Sequence, residues 1–374
     1  MTAVEDMTAL QKLEPEWRAL AESRGNAFLT PDWYLHWFEH YGEEASPFVP
    51  VLKGGDGRLR GLLPLALARS GRPRVCRMAG ASLGDSFHPL CEPAEEREVA
   101  AAAGEALAGT AGPWSILALD HVETQRPWIS ELAEGTGVRL RRRERPAAEL
   151  PLIELSRYES WEDYLATRST NFRQQIRRFA RRAAEKHAMK VRGTRSRETL
   201  RDDLRVFWDL HDRRWREQSS LRSDRARAFL ADFSASALER GWLRLWFLEL
   251  DEQPVAAWYG WRVGDRYAYY NGGFDPAWSA LSPGLVLMSN VIESAFDEGA
   301  AQFDFLLGDE RYKLRFAERS RSVADVMLAR ALPHPAALVA SAEAGARRLG
   351  RLIPASVRHR LRLTRRSMLW GRER

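Results

Sequence analysis

Residues 270–288, "YNGGFDPAWSALSPGLVLM", pass from an aromatic strand through a loop of small residues into an apolar helix. Ser282 is suited to cap that helix, Pro283 fits its first turn and Gly284 leaves the backbone bare. Amides at a helix start lack intrahelical partners and can hold an anion, and a missing side chain lets a phosphate come close. A well-capped core helix carries the same signals, so the passage has to be read with its neighbours.

Working outward, "RYAYYNGGF" (266–274) is the last of three strand candidates, after "WLRLWFLEL" (242–250) and "VAAWYGWRV" (255–263). The turns "DEQP" and "GD" between them are short enough to predict an antiparallel meander. Alternation puts Tyr267 and Tyr269 on one face and Tyr270 on the other, with Trp258 and Trp261 likewise opposed. Before the meander, "MKVRGT" reads as a strand, and "ETLRDDLRVFWDLHDRRWREQ" and "DRARAFLADFSASALERG" as helices with apolar residues at three and four spacing. After it come the helix to about Glu298, the strand "AQFDFLL", a short helix "DERYKLRFA" and a last strand "SVADVMLAR".

The first half gives nearly the same order. Helices at 9–24 and 31–40 precede the strands "FVPVLK", "LRGLLPLALA" and "RVCRMAG", then a helix over 94–108, the strand "WSILALD", a helix over 126–134 and the strand "VRLRRRE". A tandem duplication of one α/β module is the simplest account. The expected organisation is a module over 1–155, a second over 156–333, and a basic amphipathic tail over 334–374.

A chain of 374 residues with 45% hydrophobic content can build two packed cores. No run approaches the roughly 18 apolar residues of a membrane span, and the acidic start "MTAVEDMTAL" lacks a signal-type apolar core. A cytoplasmic protein is expected. Cys76 and Cys91 have neither CxxC spacing nor a histidine cluster beside them, so no disulfide framework and no metal is expected. The formal charge of +6 rests on arginine, since Lys12, Lys53, Lys186, Lys190 and Lys313 are the only lysines. The excess is local, in "NFRQQIRRFARRAAEK" (171–186) and after Gly345.

The stretches "SWEDYLATRSTNFRQQIRR", "LHDRRW", "YNGGFDPAWSALSPGLVLM" and "FDFLLGDERYKLRF" together resemble the GNAT acyltransferase superfamily. The branch resembled carries tandem modules and is related to cellulose-biosynthesis CelD proteins and to Fem peptidyltransferases. The resemblance implies a mixed α/β fold of two GNAT-like modules, each a mostly antiparallel sheet flanked by helices. It also implies N-acyl transfer from acyl-CoA, most simply acetyl-CoA, to an amine. An amino sugar or another glycan precursor of exopolysaccharide or the cell envelope is the acceptor class expected. In GNAT enzymes the loop before the third helix binds the donor pyrophosphate through backbone amides, with Gln or Arg leading two spaced glycines. Here "SALSPG" offers Gly284 alone and no leading Gln or Arg. Fem proteins use aminoacyl-tRNA on a similar scaffold, so tRNA stays open as the alternative donor, and an idle scaffold of envelope machinery as a third reading.

The second module is the better donor site. The matching first-module helix begins "PAEEREVAA", and its Glu95, Glu96 and Glu98 would repel a phosphate, whereas the helix after Ser282 carries no acid until Glu293. Cofactor-binding candidates are therefore Ser282, Pro283, Gly284 and Leu285 at the helix start, with Tyr270 and Asn271 on the strand leading to it.

Acyl transfer to an amine needs a proton acceptor, a stabilised oxyanion and an aligned donor, and no covalent nucleophile. Asp304, between Phe303 and Phe305, is either a base in a buried strand or the partner of an arginine. Lys313, the only lysine after residue 190, suits a phosphate or a carboxylate partner. His211, four residues before Trp215, is either a base or a hydrogen-bonded structural residue. Tyr312 falls where the resemblance implies a tyrosine that protonates the leaving thiolate.

In "NFRQQIRRFARRAAEK", Phe172, Ile176, Phe179 and Ala183 form an apolar stripe and leave an arginine row beside it. That row is either a solvated face or a contact for the phosphates of CoA, tRNA or lipid headgroups. The tail from Gly345 to Arg374 holds ten arginines and one acid among apolar residues, which predicts peripheral contact with an anionic membrane at its inner face.

Overall fold

The computed structural model describes residues 2–70, 74–109, 114–215, 220–308 and 310–330. The tail on which the membrane expectation rests lies outside the described residues. No helix among them is long and apolar enough to cross a membrane.

The first half runs β1 (Thr2–Val4), α1 (Met7–Arg24), α2 (Pro31–Tyr41), β2 (Ala45–Lys53), β3 (Leu59–Leu62), β4 (Leu65–Ala68), β5 (Val75–Met78), β6 (Leu90–Cys91), α3 (Glu96–Gly109), β7 (Ile116–Val122), α4 (Trp128–Gly135) and β8 (Leu140–Glu154). The second runs α5 (Trp161–Ala166), α6 (Thr170–Lys186), β9 (Met189–Gly193), α7 (Arg197–Trp215), α8 (Asp224–Glu239), β10 (Leu243–Leu250), β11 (Gln253–Val263), β12 (Arg266–Phe274), α9 (Pro283–Asp297), β13 (Gln302–Asp304), α10 (Arg311–Phe316) and β14 (Arg319–Arg330). Side-chain caps start several helices, with Asp6, Thr30, Ser160, Ser169 and Ser223 each accepting from an amide in the first turn.

The expected strand "LRGLLPLALA" is two strands. Pro64 has no N–H to give a ladder, so the chain kinks at Leu63–Pro64, and β3 and β4 pair with different parts of β2. The strand expected at 138–144 is longer, because β8 extends to Glu154.

The repeat in element order is a repeat in pairing. In each half one parallel pair is joined by a crossover helix: β5 beside β7 through α3, and β12 beside β13 through α9. Every other pairing among the described strands is antiparallel. The final strand of each half then crosses over. β14, from the second half, lies between β7 and β8, while β8, from the first, lies between β14 and β13. One fourteen-stranded sheet results, with no break at residue 155.

Helices cover both faces. Tyr259, Trp261 and Tyr270 join the core built on α1, α2, α7 and α8, which mixes residues of the two halves. Trp33 of α2 sets its ring edge-on to Phe229 and Phe233 of α8, at 4.8 and 5.0 Å between centroids. Trp258, Tyr267 and Tyr269 point the other way, into the core of α5, α6 and α9. The strand alternation read from sequence therefore places these aromatics on the faces expected.

Candidate functional site

β12 and β13 are hydrogen-bonded only from Arg266↔Gln302 to Ala268↔Asp304. β13 stops there, whereas β12 runs on to Phe274, so the ladder opens at this end, beside residues 305–308 and α10. Three segments approach one another there: the end of α7 ("LHDRRW"), the end of β12 ("YNGGF") and the start of α10 with Tyr312.

The end of α7 is held residue by residue. Asp212 accepts from Arg227 at 2.6 Å, Arg213 donates to Asp275 at 2.7 Å, and Trp215 Nε1 donates to the Gly272 carbonyl at 2.9 Å. The helix can come this close because Gly273 has no side chain; a Cβ there would stand 2.3 Å from the His211 nitrogen. Arg214 is thereby turned over the rings of Trp215, Phe274 and Tyr312, with 4.5, 5.4 and 5.7 Å to their centroids.

The loop carries strained backbone. Leu306 has φ 52°, unusual for a branched side chain, and its amide donates to Asp304 Oδ1 at 2.9 Å. Gly308, at φ 139°, makes room for an ion pair, since a Cβ would lie 2.1 Å from Glu310 Oε2 and 2.5 Å from Lys313 Nζ. Lys313, 3% exposed, meets Glu310 at 3.0 Å and donates to the Leu307 carbonyl at 2.8 Å. Burial works to raise the Glu310 pKa, but the charge and bond of Lys313 outweigh it and hold the carboxyl below its ordinary value. The Tyr312 hydroxyl donates to that of Tyr269 at 3.2 Å, and Tyr269 lies flat on Trp258. Burial, with Tyr269 beside it, pushes the Tyr312 pKa well above the usual tyrosine value, so the hydroxyl keeps its proton.

α9 begins at this end of β12. Ser282 is not a side-chain cap: it adopts a left-handed conformation, φ 48° and ψ 53°, and makes no side-chain cap bond. The reason is the 3-10 turn Pro276–Leu281, which runs directly into it, so that Ser282 reverses the chain between two helices. Its carbonyl takes the Leu285 and Val286 amides at 2.9 and 3.1 Å, Pro283 has none, and the Gly284 N–H is left at the helix start. A Cβ on Gly284 would meet only Phe274 Cδ1, at 3.6 Å. The same place in the first half is closed. Glu95 and Glu98 hold Arg60, Glu96 holds Arg126, and Phe87 bridges to Val122 where β5 and β7 would diverge.

Tyr312 and Lys313 lie on α10 and Ser282–Leu285 at the start of α9, linked through Arg214, which lies over Tyr312 and Phe274, and through Phe274, which faces Gly284; Tyr270 and Asn271 are on the adjoining strand. Tyr270 ties the halves by donating to the Leu83 carbonyl at 2.8 Å, and Asn271 Oδ1 accepts from the Gly272 amide at 2.9 Å. Asp304 is 2% exposed and engaged by Arg321, the arginine-partner option of the two read from sequence. His211 is 1% exposed, against Phe207 and Trp208, and burial lowers its pKa to about 4. It belongs to the core behind the opening.

Two residues at the opening escaped the sequence reading. Asp85, from a first-half loop, accepts from the Leu307 amide at 3.3 Å, and nothing in its local sequence announces that reach. Arg214 lay inside a motif already singled out, between residues that drew notice for being His and Trp.

Residues 170–314 match the family model described as the acetyltransferase (GNAT) domain, and over that stretch the chain is similar to GNAT proteins. Among solved structures, FemX is 11% identical with a TM-score of 0.62, covering 91% of this chain and 100% of that one. L-PGS from Bacillus licheniformis is 14% identical with a TM-score of 0.51, covering 95% of this chain and 99% of that one. At such identities the likeness is one of fold. No curated protein matches the sequence.

Proposed function

We propose that the protein is an N-acyltransferase that moves an acyl group, most simply acetyl, from acyl-CoA to an amine on a glycan or other small acceptor of envelope or exopolysaccharide synthesis. The observation that carries this reading is that helix start, divergent strands and strained loop meet at one opening, while its counterpart in the first half is filled by Glu–Arg pairs and Phe87.

In this reading the donor's phosphates lie at the start of α9, with Gly284 and its amide nearest, and the thioester enters between β12 and residues 305–308. The amine attacks the carbonyl carbon and the C–S bond breaks. Tyr312, protonated at neutral pH, is the hydrogen-bond donor for the departing sulfur. The proton lost by the amine goes to a carboxylate, for which Asp85, which accepts from the Leu307 amide, is the candidate; Glu310 is held ionised by Lys313 as its ion-pair partner. Asp304 and His211 serve this site as supports behind it.

A second reading, an aminoacyl-tRNA donor of the Fem kind, is favoured by α6. Its stripe of Phe172, Ile176, Phe179 and Ala183 is buried, so Arg177, Arg178 and Arg181 face outward, and His187 at its end packs on Trp278 just before α9.

Thermal stability against CoA, acetyl-CoA, longer acyl-CoAs and bulk tRNA tests both. A ligand at about 100 times its Kd stabilises one site by about 2.7 kcal/mol. The expected result is a shift with an acyl-CoA that Gly284→Glu abolishes, in a variant whose fold the open surroundings of Gly284 preserve. No shift with any acyl-CoA would overturn the donor assignment, and a shift with tRNA alone would replace it by the second reading.

A further inference from the structure

Among the described residues Arg214 is the cation here that forms no ion pair of its own; the Glu310 carboxylate, bonded to Lys313, acts on it only at longer range. Its neighbours in sequence are all paired: Asp212 with Arg227, and Arg213 with both Asp209 and Asp275. Across the opening Lys313 has Glu310. Among the described residues Arg214 has no carboxylate at ion-pair distance; its surroundings are the faces of Trp215, Phe274 and Tyr312 and the hydroxyl of Tyr312. A guanidinium cannot shed its charge at any working pH, and aromatic faces compensate its desolvation only in part. The in-plane N–H edge of a guanidinium grips an oxyanion through two hydrogen bonds, and here a tyrosine hydroxyl, not a carboxylate, is the side-chain hydrogen-bond partner of Arg214.

Its position adds a second, independent argument. Phe274 lies under Arg214, and the same ring is the one atom group near the bare Cα of Gly284. A side-chain cation from α7 and the positive start of α9 thus approach one ring from two elements, in a chain whose loop 279–284 contains no cation of its own. The anchoring of α7 by Arg213–Asp275 and Trp215–Gly272 fixes that arrangement before any ligand arrives.

We propose that Arg214 is an anion-recognition residue that grips an oxyanion group of a substrate, phosphate or carboxylate, against Phe274 and Trp215. The inference rests on the transferase reading only for the identity of the substrate, because the site itself is tested with inorganic ions. Two sources share the chemistry: a phosphate of the donor, or a carboxylate of the acceptor.

The experiment follows tryptophan fluorescence and thermal stability of the full chain while it is titrated at constant ionic strength with pyrophosphate, phosphate and acetate. Wild type is compared with Arg214→Met and Arg214→Gln. The expected result is saturable binding of at least one ion, weakened tenfold or more in both variants. Pyrophosphate without acetate points to the donor, and acetate without pyrophosphate to the acceptor. Arg214→Gln keeps a polar side chain of similar reach, so it serves if the methionine variant fails to fold, which circular dichroism reports. Absence of binding to wild type, or equal binding in wild type and a folded variant, overturns the proposal. Acyl-CoA is titrated in parallel: a donor response that survives such a result leaves the transferase reading standing while this inference falls.

Discussion

Lowering the pH from 8 to 5 should destabilise this protein through two buried histidines. His211 and His88 are 1% and 9% exposed, and burial lowers their pKa values to about 4 and about 3; at His88 the charge of Arg126 adds to the effect. An unfolded histidine titrates near 6.5, so between pH 6.5 and 4 the unfolded chain binds more protons than the native one. Stability is therefore full above about pH 7 and declines as the pH falls. At pH 5 each histidine costs about 2 kcal/mol, or about 4 kcal/mol together, a large part of the roughly 5–15 kcal/mol that holds a folded domain. Urea unfolding at pH 8 and pH 5, at fixed ionic strength, measures the loss. In His211→Gln the loss should shrink by about 2 kcal/mol, one histidine's share; the remaining histidines titrate in both proteins alike. Equal losses in variant and wild type would refute the reasoning. So would a stable His211→Gln whose only defect is a missing basic limb near pH 6.5 in its rate profile, because that behaviour belongs to a catalytic base.

Asp304→Asn separates support from catalysis in the same way: with Arg321 left facing a neutral group at a buried site, the variant should lose about 3 kcal/mol of stability, near the low end because Glu123 still holds Arg321 at 2.9 Å. A normally stable variant with no activity would instead make Asp304 part of the chemistry. The exchange of final strands predicts that residues 1–155 and 156–333, produced separately, stay unfolded or aggregate, since β7, β8, β13 and β14 each lose a partner from the other half. Cooperative unfolding of either piece alone, by circular dichroism, would show two independent domains.

The order of elements was legible because each rests on local chemistry. Period-two aromatics marked β12, the apolar stripe marked α6, and the acids at the start of α3 showed which helix terminus was spoiled for a phosphate. The capping of α9 was misread for a reason that is also local but longer in range than one residue: the 3-10 turn up to Leu281 consumes the extended geometry a serine cap requires.

What the sequence determined by itself is therefore the list of parts and their faces. Tertiary structure alone decided the rest. Which strand lies beside β7 is a choice among partners of equal hydrogen-bonding capacity, and it is settled by packing two halves into shared cores. Whether Asp304, His211 or Arg214 faces the opening depends on which carboxylate or ring lies opposite, and those neighbours come from distant parts of the chain. A residue's chemical type is written in the sequence, but its free or spent charge is a property of the groups that folding brings against it.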